Sequence, residues 1–182
     1  SGEKPTVTWY ADSDGDTYGN PSSSNECERA NTTDVLDNTD CDDSNIAKFP
    51  GSAENDSTTD CLTDGDNDGY APIIQGGTDC DDSDSGENPT VTWYADSDGD
   101  TYGNPSSSNV CERANGTDVL DNTDCDDSNI VKFPGSAEND SATDCLTDGD
   151  NDGYAPTSEG GTDCDDSDSE ENPTVTWYRH TM

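Results

Sequence analysis

Basic residues are the first thing this sequence lacks. Six lysines and arginines stand against 44 aspartates and glutamates, giving a formal net charge of −38 over 182 residues. A field of that sign repels nucleic acid and gathers cations. Histidine is nearly missing too, with His180 the single copy. One terminal histidine cannot serve a Ser/His/Asp set, and it leaves copper without the imidazole ligands it favours. No run of 18 or more apolar residues occurs, so no membrane-spanning helix is encoded. Only 25% of the residues are apolar, too few for a large core. High charge with low hydropathy is the signature of a disordered tail. The chain opens at Ser1 with no leader, as a mature form or a fragment of something longer would.

What is present argues against disorder. There are eight cysteines, three tryptophans and seven tyrosines, and the acids are clustered rather than scattered. A chain that cannot bury much apolar surface needs disulfides or metals as staples. The cysteines stand at 27, 41, 61 and 80 and again at 111, 125, 145 and 164. No C-x-x-C occurs, which argues against a zinc knuckle. Four per unit suit two disulfides and an oxidising, extracytoplasmic setting. Spacing alone leaves three connectivities per unit. The expectation favoured here is Cys27–Cys41 and Cys61–Cys80, with all eight oxidised and each bond inside one half-unit.

The sequence is an internal repeat. Residues 5–88 align without a gap on 89–172 and differ at eight positions: Glu26/Val110, Thr32/Gly116, Ala47/Val131, Thr58/Ala142, Ile73/Thr157, Ile74/Ser158, Gln75/Glu159 and Gly86/Glu170. The expected organisation is a first repeat over 1–88 (long half 5–60, short half 61–88) and a second over 89–172 (long half 89–144, short half 145–172). A terminal strand at 173–182 would begin a truncated third repeat. Repeats of this kind stack along one axis. The predicted fold class is mostly irregular with small β elements, drawn out as an elongated rod with very little helix. "PTVTWY" alternates and reads as a short strand, Val7 and Trp9 on one face and Thr8 and Tyr10 on the other. A helical turn is expected after each "DCDD". The expected core is Trp9, Val35, Leu36, Ile46, Phe49, Leu62 and the tyrosines.

The chemistry lies in four loops. "DSDGDTYG" stands at 12–19 and again at 96–103, and "DGDNDGYA" at 64–71 and 148–155. Asp12, Asp14 and Asp16 present carboxylates at odd positions, and Tyr18 offers a backbone carbonyl at the seventh. That is the front half of an EF-hand calcium loop. The same reading applies to Asp64, Asp66, Asp68 and Tyr70, to Asp96, Asp98, Asp100 and Tyr102, and to Asp148, Asp150, Asp152 and Tyr154. The twelfth position, which should be a bidentate Glu, is Ser23 in the long half and Gln75 in the short half. No flanking helices can be read, so this is no EF-hand. The missing ligands are expected from "DCDD": Asp40, Asp42 and Asp43 for the first loop and Asp79, Asp81 and Asp82 for the second. Their counterparts are Asp124, Asp126 and Asp127, then Asp163, Asp165 and Asp166. Glu54 and Glu138, after "FPGSAE", are further candidates. Oxygen ligands in this number suit several Ca²⁺ ions. A merely solvated acidic surface would not hold odd-position spacing four times.

The stretch "WYADSDGDTYGNP…C…DCDDSNIAKFPGSAEN" resembles the metal-binding repeat of MopE-like bacterial and archaeal surface proteins, at 9–55 and 93–139. More distantly it resembles the calcium-rich type 3 repeats of thrombospondins. The resemblance implies an extracellular, calcium-loaded module of a fibre or cell surface.

Remaining features carry less. Asn31, Asn55, Asn115 and Asn139 head glycosylation sequons, which an Asn- and Ser-rich chain also produces by chance. Trp9, Trp93 and Trp177 could stack on sugars or pack the strand. No pair of acids stands out for glycoside hydrolysis, and no enzyme is expected. The strand motif stands near both ends and again at 89–94. That predicts head-to-tail self-association or covalent continuation in a longer array. The alternatives are an adhesin stalk presenting a carbohydrate- or protein-binding site, and a calcium buffer or mineral nucleator.

Overall fold

The computed structural model describes residues 6–179. Pro5, the first residue of the opening motif, and His180 lie outside them. The chain divides into two compact units, Ser1–Val91 and Thr92–Met182. Among the described residues there is no α-helix, and regular structure is confined to four three-residue strands and one 3₁₀ turn. This fits the mostly irregular, small-β class.

In the first unit, β1 (Thr8–Tyr10) pairs antiparallel with β2 (Ser24–Glu26), Trp9 facing Asn25. β1 is the C-terminal half of the predicted strand. The connection between the strands is the first aspartate loop, closed by Ala11 N–H on the Ser23 carbonyl at 2.9 Å and Asn20 N–H on the Ala11 carbonyl at 2.8 Å. Tyr10 also forms an antiparallel bridge with Val35. The chain then returns to the loop, where Asp40 N–H reaches the Gly19 carbonyl at 3.2 Å. Gly19 can only be glycine: a Cβ there would meet the Tyr10 and Val35 side chains and the Asp37 carbonyl. The second unit repeats this with β3 (Thr92–Tyr94) on β4 (Ser108–Val110).

The short half holds no ladder. A parallel bridge Pro72↔Asp79 spans the 3₁₀ turn Ile73–Gln75. Its loop is held from outside. Asn55 N–H donates to the Gly69 carbonyl at 2.9 Å and Asn55 Nδ2 to the Asp68 carbonyl at 3.3 Å. Asp56 accepts from Ala71 N–H, Thr78 N–H and the Thr78 hydroxyl. The long half's tail is therefore the scaffold of the short half.

The core differs from the expected one. The fully buried apolar side chains are small, Ala53, Ala71, Ala137 and Ala155, and Trp93 is the one large apolar side chain among the described residues that is also buried. Leu36 and Ile46, expected inside, are 61% and 60% exposed. With so few apolar residues, the volume at the centre of each unit is taken by aspartates. Asp34, Asp79 and Asp163 are the largest fully buried side chains. Tyr18 stacks on Phe49, and Tyr102 on Phe133, at 4.9 and 5.0 Å between centroids. Trp9 and Trp93 are covered by Arg29 and Arg113, 4.0 and 3.9 Å from the ring centroids. This is a cation–π arrangement and supports the packing role for these two rings. After "DCDD" the chain makes a hydrogen-bonded turn, Asn45 N–H to the Asp42 carbonyl, rather than a helical one. The third copy of the strand motif forms no ladder, and Trp177 and Tyr178 are 65% and 90% exposed.

The disulfides correct the expected pairing. Cys41 bonds Cys61 and Cys125 bonds Cys145, with Cα–Cα distances of 5.9 and 6.0 Å. Cys80 and Cys111 are also disulfide-bonded. Cys27 and Cys164 are free and exposed, so oxidation is not complete. The physical reason lies in the path between the halves. The 51–60 segment folds back on itself, Gly51 N–H meeting the Asp60 carbonyl at 3.1 Å, and returns Cys61 to Cys41. The bond thus joins the two halves of a unit instead of closing each one. Tying such a loop contributes about 3 kcal/mol in the chain-entropy account. Alkylation of the denatured, unreduced protein should label Cys27 and Cys164 alone, and peptide mapping should recover the 41–61 and 125–145 bridges. Recovery of a 27–41 bridge would refute this connectivity.

Candidate metal centres

Each of the four loops turns through two left-handed positions, the fourth and sixth. These are Gly15 and Thr17 in the first (φ 91° and 78°) and Asn67 and Gly69 in the second (φ 64° and 91°). Gly and Asn enter that region at little cost, whereas Thr17 and Thr101 are β-branched and strained there. The result is a tight coil that carries its first, third and fifth side chains to one side.

The first aspartate of each loop is spent on the coil. Asp12 accepts from Gly15 N–H at 2.7 Å and from Thr17 N–H at 3.2 Å. Asp64 accepts likewise from Asn67 and Gly69 at 2.7 and 2.9 Å. The next two each give one oxygen to the backbone two residues on: Asp14 to Asp16 N–H, and Asp16 to Tyr18 N–H. Their other oxygens are buried. Asp12, Asp14 and Asp16 each bring a carboxylate oxygen within 4.8 Å of the others, and so do the triplets 64/66/68, 96/98/100 and 148/150/152. The spacing read from the sequence is thus realised as convergence in all four.

"DCDD" divides into three roles. Its first aspartate is buried: Asp40 and Asp124 are 7% exposed, Asp79 and Asp163 1%. One oxygen takes a backbone N–H, as Asp40 does from Asp42 at 2.9 Å. The other is buried with no donor among the described residues, as in Asp14 and Asp16. Asp40 also raises the pKa of Asp16, as Asp79 does that of Asp66, which places each beside its triplet. The second aspartate makes the following turn, Ser44 Oγ donating to Asp42 and Ser83 Oγ to Asp81 at 2.7 and 2.6 Å. Asp126 and Asp165 do the same with Ser128 and Ser167. The last aspartate latches the start of the loop. Asp43 accepts from Ser13 N–H and Oγ, both at 2.7 Å, and Asp82 from Gly65 N–H at 2.7 Å. Asp127 and Asp166 accept from Ser97 and Gly149. Glu54 and Glu138 are exposed. They approach Gly69 and Gly153 of the short loop. The seventh-position tyrosines donate their N–H groups to the third aspartate; any ligation there falls to the main chain, since the Tyr18 and Tyr102 rings stack away.

Electrostatics follow from this crowding. Burial first, then the charges of Asp14, Asp40 and Asp12, push Asp16 up to about 6 against the Tyr18 N–H. Burial, then Asp68 and Asp79, likewise push Asp66 up to about 6. Asp79, Asp100 and Asp150 are raised for the same reason, burial before like charge. The latch behaves oppositely: burial works against Asp43 and Asp127, but Ser13 and Ser97 hold them below the ordinary range. Among the described residues, every buried side-chain oxygen without a donor belongs to an aspartate. Three converging carboxylates, with the buried first aspartate of "DCDD" close enough to raise their pKa, can hold a hard cation.

Sequence reasoning missed two residues per unit. Asp34 and Asp118 are 2% and 6% exposed and belong to no spacing motif. Asp56 and Asp140 hold the short half and are depressed in pKa, the Thr78 and Thr162 hydrogen bonds outweighing burial. Asn55 and Asn139, read as sequons, place their amides on the loop carbonyls of Asp68 and Asp152. No family model matches the chain, and no curated protein or solved structure matches it either.

Two tests follow from the division of roles. Asp40→Asn should weaken metal binding at its loop at least tenfold while stabilising the metal-free protein, because it removes one charge from a repelling cluster. Asp43→Asn should cost about 1 kcal/mol with or without metal, as loss of a hydrogen-bonded latch. Calorimetric titration and denaturant melts separate these; the same sign of effect for both variants in the metal-free state would contradict the assignment. The second test is pH. Asp16 and Asp66 have folded pKa values above the ordinary 3.8, so their ionisation destabilises the metal-free fold. Metal-free stability should peak at about pH 4. It falls on further acidification, as Asp43, Asp56, Asp127 and Asp140, which the fold holds low, take up protons, and it falls as pH rises to about 6 and Asp16 and Asp66 ionise. Cation affinity should rise over that same window as protons leave. Affinity that is flat between pH 4 and 7 would contradict it.

Proposed function

We propose that this chain is a structural calcium-binding repeat module of a microbial extracellular fibre or cell-surface protein. The observation that carries the reading is the set of buried, donorless oxygens of Asp14, Asp16 and Asp40, repeated in every loop. Burying a carboxylate oxygen with no partner is costly, and a divalent cation is the partner that suits all of them at once. The donor set is all oxygen, which favours Ca²⁺ over copper or zinc. A site built of several protein carboxylates suits Ca²⁺ better than Mg²⁺, which keeps most of its waters and takes one or two carboxylates. In this reading Asp12, Asp14, Asp16 and Asp40 are ligands, with Asp43 as latch, and the other three loops follow suit.

The mechanism is mechanical rather than catalytic. Each ion removes the repulsion among its aspartates and fixes the loop. Binding free energy therefore becomes folding free energy. Disulfides between the halves fit an oxidising compartment, which supports an extracellular setting. No helix among the described residues is long and apolar enough to cross a membrane. Two nearly identical units in tandem support a linear array, extended head to tail by further copies or by covalent continuation. An adhesin stalk remains the second reading; glycan-array binding that survives loss of the loops would favour it.

Calcium dependence is the direct test. At a thousandfold excess over the dissociation constant, each bound ion adds about 4 kcal/mol to stability. Excess EDTA should therefore lower the melting temperature by tens of degrees or unfold the chain outright, and added calcium should restore it. A melting temperature unmoved by EDTA would remove calcium as the staple.

A further inference from the structure

Asp34 and Asp118 lie outside the aspartate triplets and outside "DCDD", yet they are 2% and 6% exposed. One oxygen of each is fully engaged. Asp34 Oδ2 accepts from Ala30 N–H at 2.8 Å and Asn31 N–H at 3.1 Å, and Asp118 Oδ2 accepts from Ala114 and Asn115 at 2.9 and 3.1 Å. The other oxygen, Oδ1, is buried with no donor among the described residues. The nearest cation in sequence is occupied elsewhere: Arg29 lies over Trp9 and donates to the Thr32 carbonyl.

Topology sets this oxygen beside the metal loop. The antiparallel bridges Tyr10↔Val35 and Tyr94↔Val119 place the residue before each valine across from the residue after each tyrosine. That residue, Ala11 or Ala95, immediately precedes the loop. In the second unit a hollow of about 440 Å³ opens there, its polar lining Asp96, Ser97, Asp98, Asn115, Thr117 and Asp118. All six have identical counterparts in the first unit. The short half has no equivalent, because its chain passes from loop to "DCDD" through a single short turn, a 3₁₀ turn in the first unit.

We propose that each long half binds a second divalent cation, anchored on Oδ1 of Asp34 or Asp118 and sharing Asp14 or Asp98 with the ion in the loop. The ligand chemistry is that of calcium: carboxylate, hydroxyl and amide oxygens with no nitrogen or sulfur. The inference rests on the reading of the loops as calcium sites and adds two ions to their four, giving six per chain. The second ion ties the hairpin connection to the strand that leads into "DCDD", so it locks the long half in a way the short half lacks.

The test is ion counting on the full chain, by native mass spectrometry and equilibrium dialysis with calcium. The wild type should hold six ions, and the double variant Asp34→Asn/Asp118→Asn should hold four. Asparagine keeps an acceptor for the two backbone N–H groups. Four ions in the wild type, or six in a folded double variant, would overturn the proposal and leave the loop sites intact. No bound calcium at all would sink the loop reading itself. Should the variant fail to fold, anomalous peaks in lanthanide-soaked wild-type crystals decide: peaks beside Asp34 and Asp118 are expected, and peaks confined to the four triplets overturn the proposal.

Discussion

Like charges forced together are the constraint on which everything else in this protein depends. Three carboxylate oxygens within 4.8 Å of one another repel by roughly 3 kcal/mol per pair at an effective dielectric near 20, and a fourth buried carboxylate adds to the sum. No apolar core of this size offsets that. The fold answers in two ways. It spends as many oxygens as it can on backbone N–H groups, so that each aspartate is half neutralised by local dipoles. It then turns the remaining oxygens inward, where they converge closely enough to hold a cation. The usual order is inverted: in most small domains charge decorates a greasy interior, whereas here aspartates are the largest fully buried side chains and most of the large aliphatics are on the surface.

The rest of the architecture holds the loops in register. A three-residue hairpin is too short to be stable alone, but it needs only to fix the two ends of a loop. The latch on Ser13, the Asp40–Gly19 backbone bond and the Tyr18–Phe49 stack each join "DCDD" or its sequel to that loop. The short half goes further and borrows its frame, through Asn55 and Asp56, from the segment that closes the long half.

The loops were legible in the sequence because their spacing is a local signal: alternate aspartates with glycine or asparagine between them dictate a coil with one charged side. The first aspartate of "DCDD" was legible for the same reason, although nothing in the sequence ranked it above its two neighbours. What separates Asp40 from Asp42 and Asp43 is which backbone groups lie near, and that is a tertiary fact. Leu36 and Ile46 were placed inside by hydropathy, a rule that fails where aspartates already fill the centre. The cysteine pairing was misread because half-units look self-sufficient in sequence. The return of the 51–60 segment, which brings Cys61 to Cys41, leaves no periodic mark. Asp34 was invisible for a similar reason: it stands alone, and only the Tyr10–Val35 bridge gives it company.

The borrowed frame of the short half has a consequence for how such a sequence can change. A duplication that copied only a short half would yield a loop without the Asn55 and Asp56 that hold it, so a short half can be added whole only together with the end of the long half before it. Within each copy, drift has been admitted only at the periphery. None of the eight positions at which the two copies differ is buried in either one. At one differing position the backbone contact is kept: Gln75 accepts from Thr63 N–H, and its replacement Glu159 accepts from Thr147 N–H while adding an ion pair with Lys132 at 3.8 Å. The two copies thus record, in their few mismatches, the positions that burial and the hydrogen-bonded clasps leave free to vary.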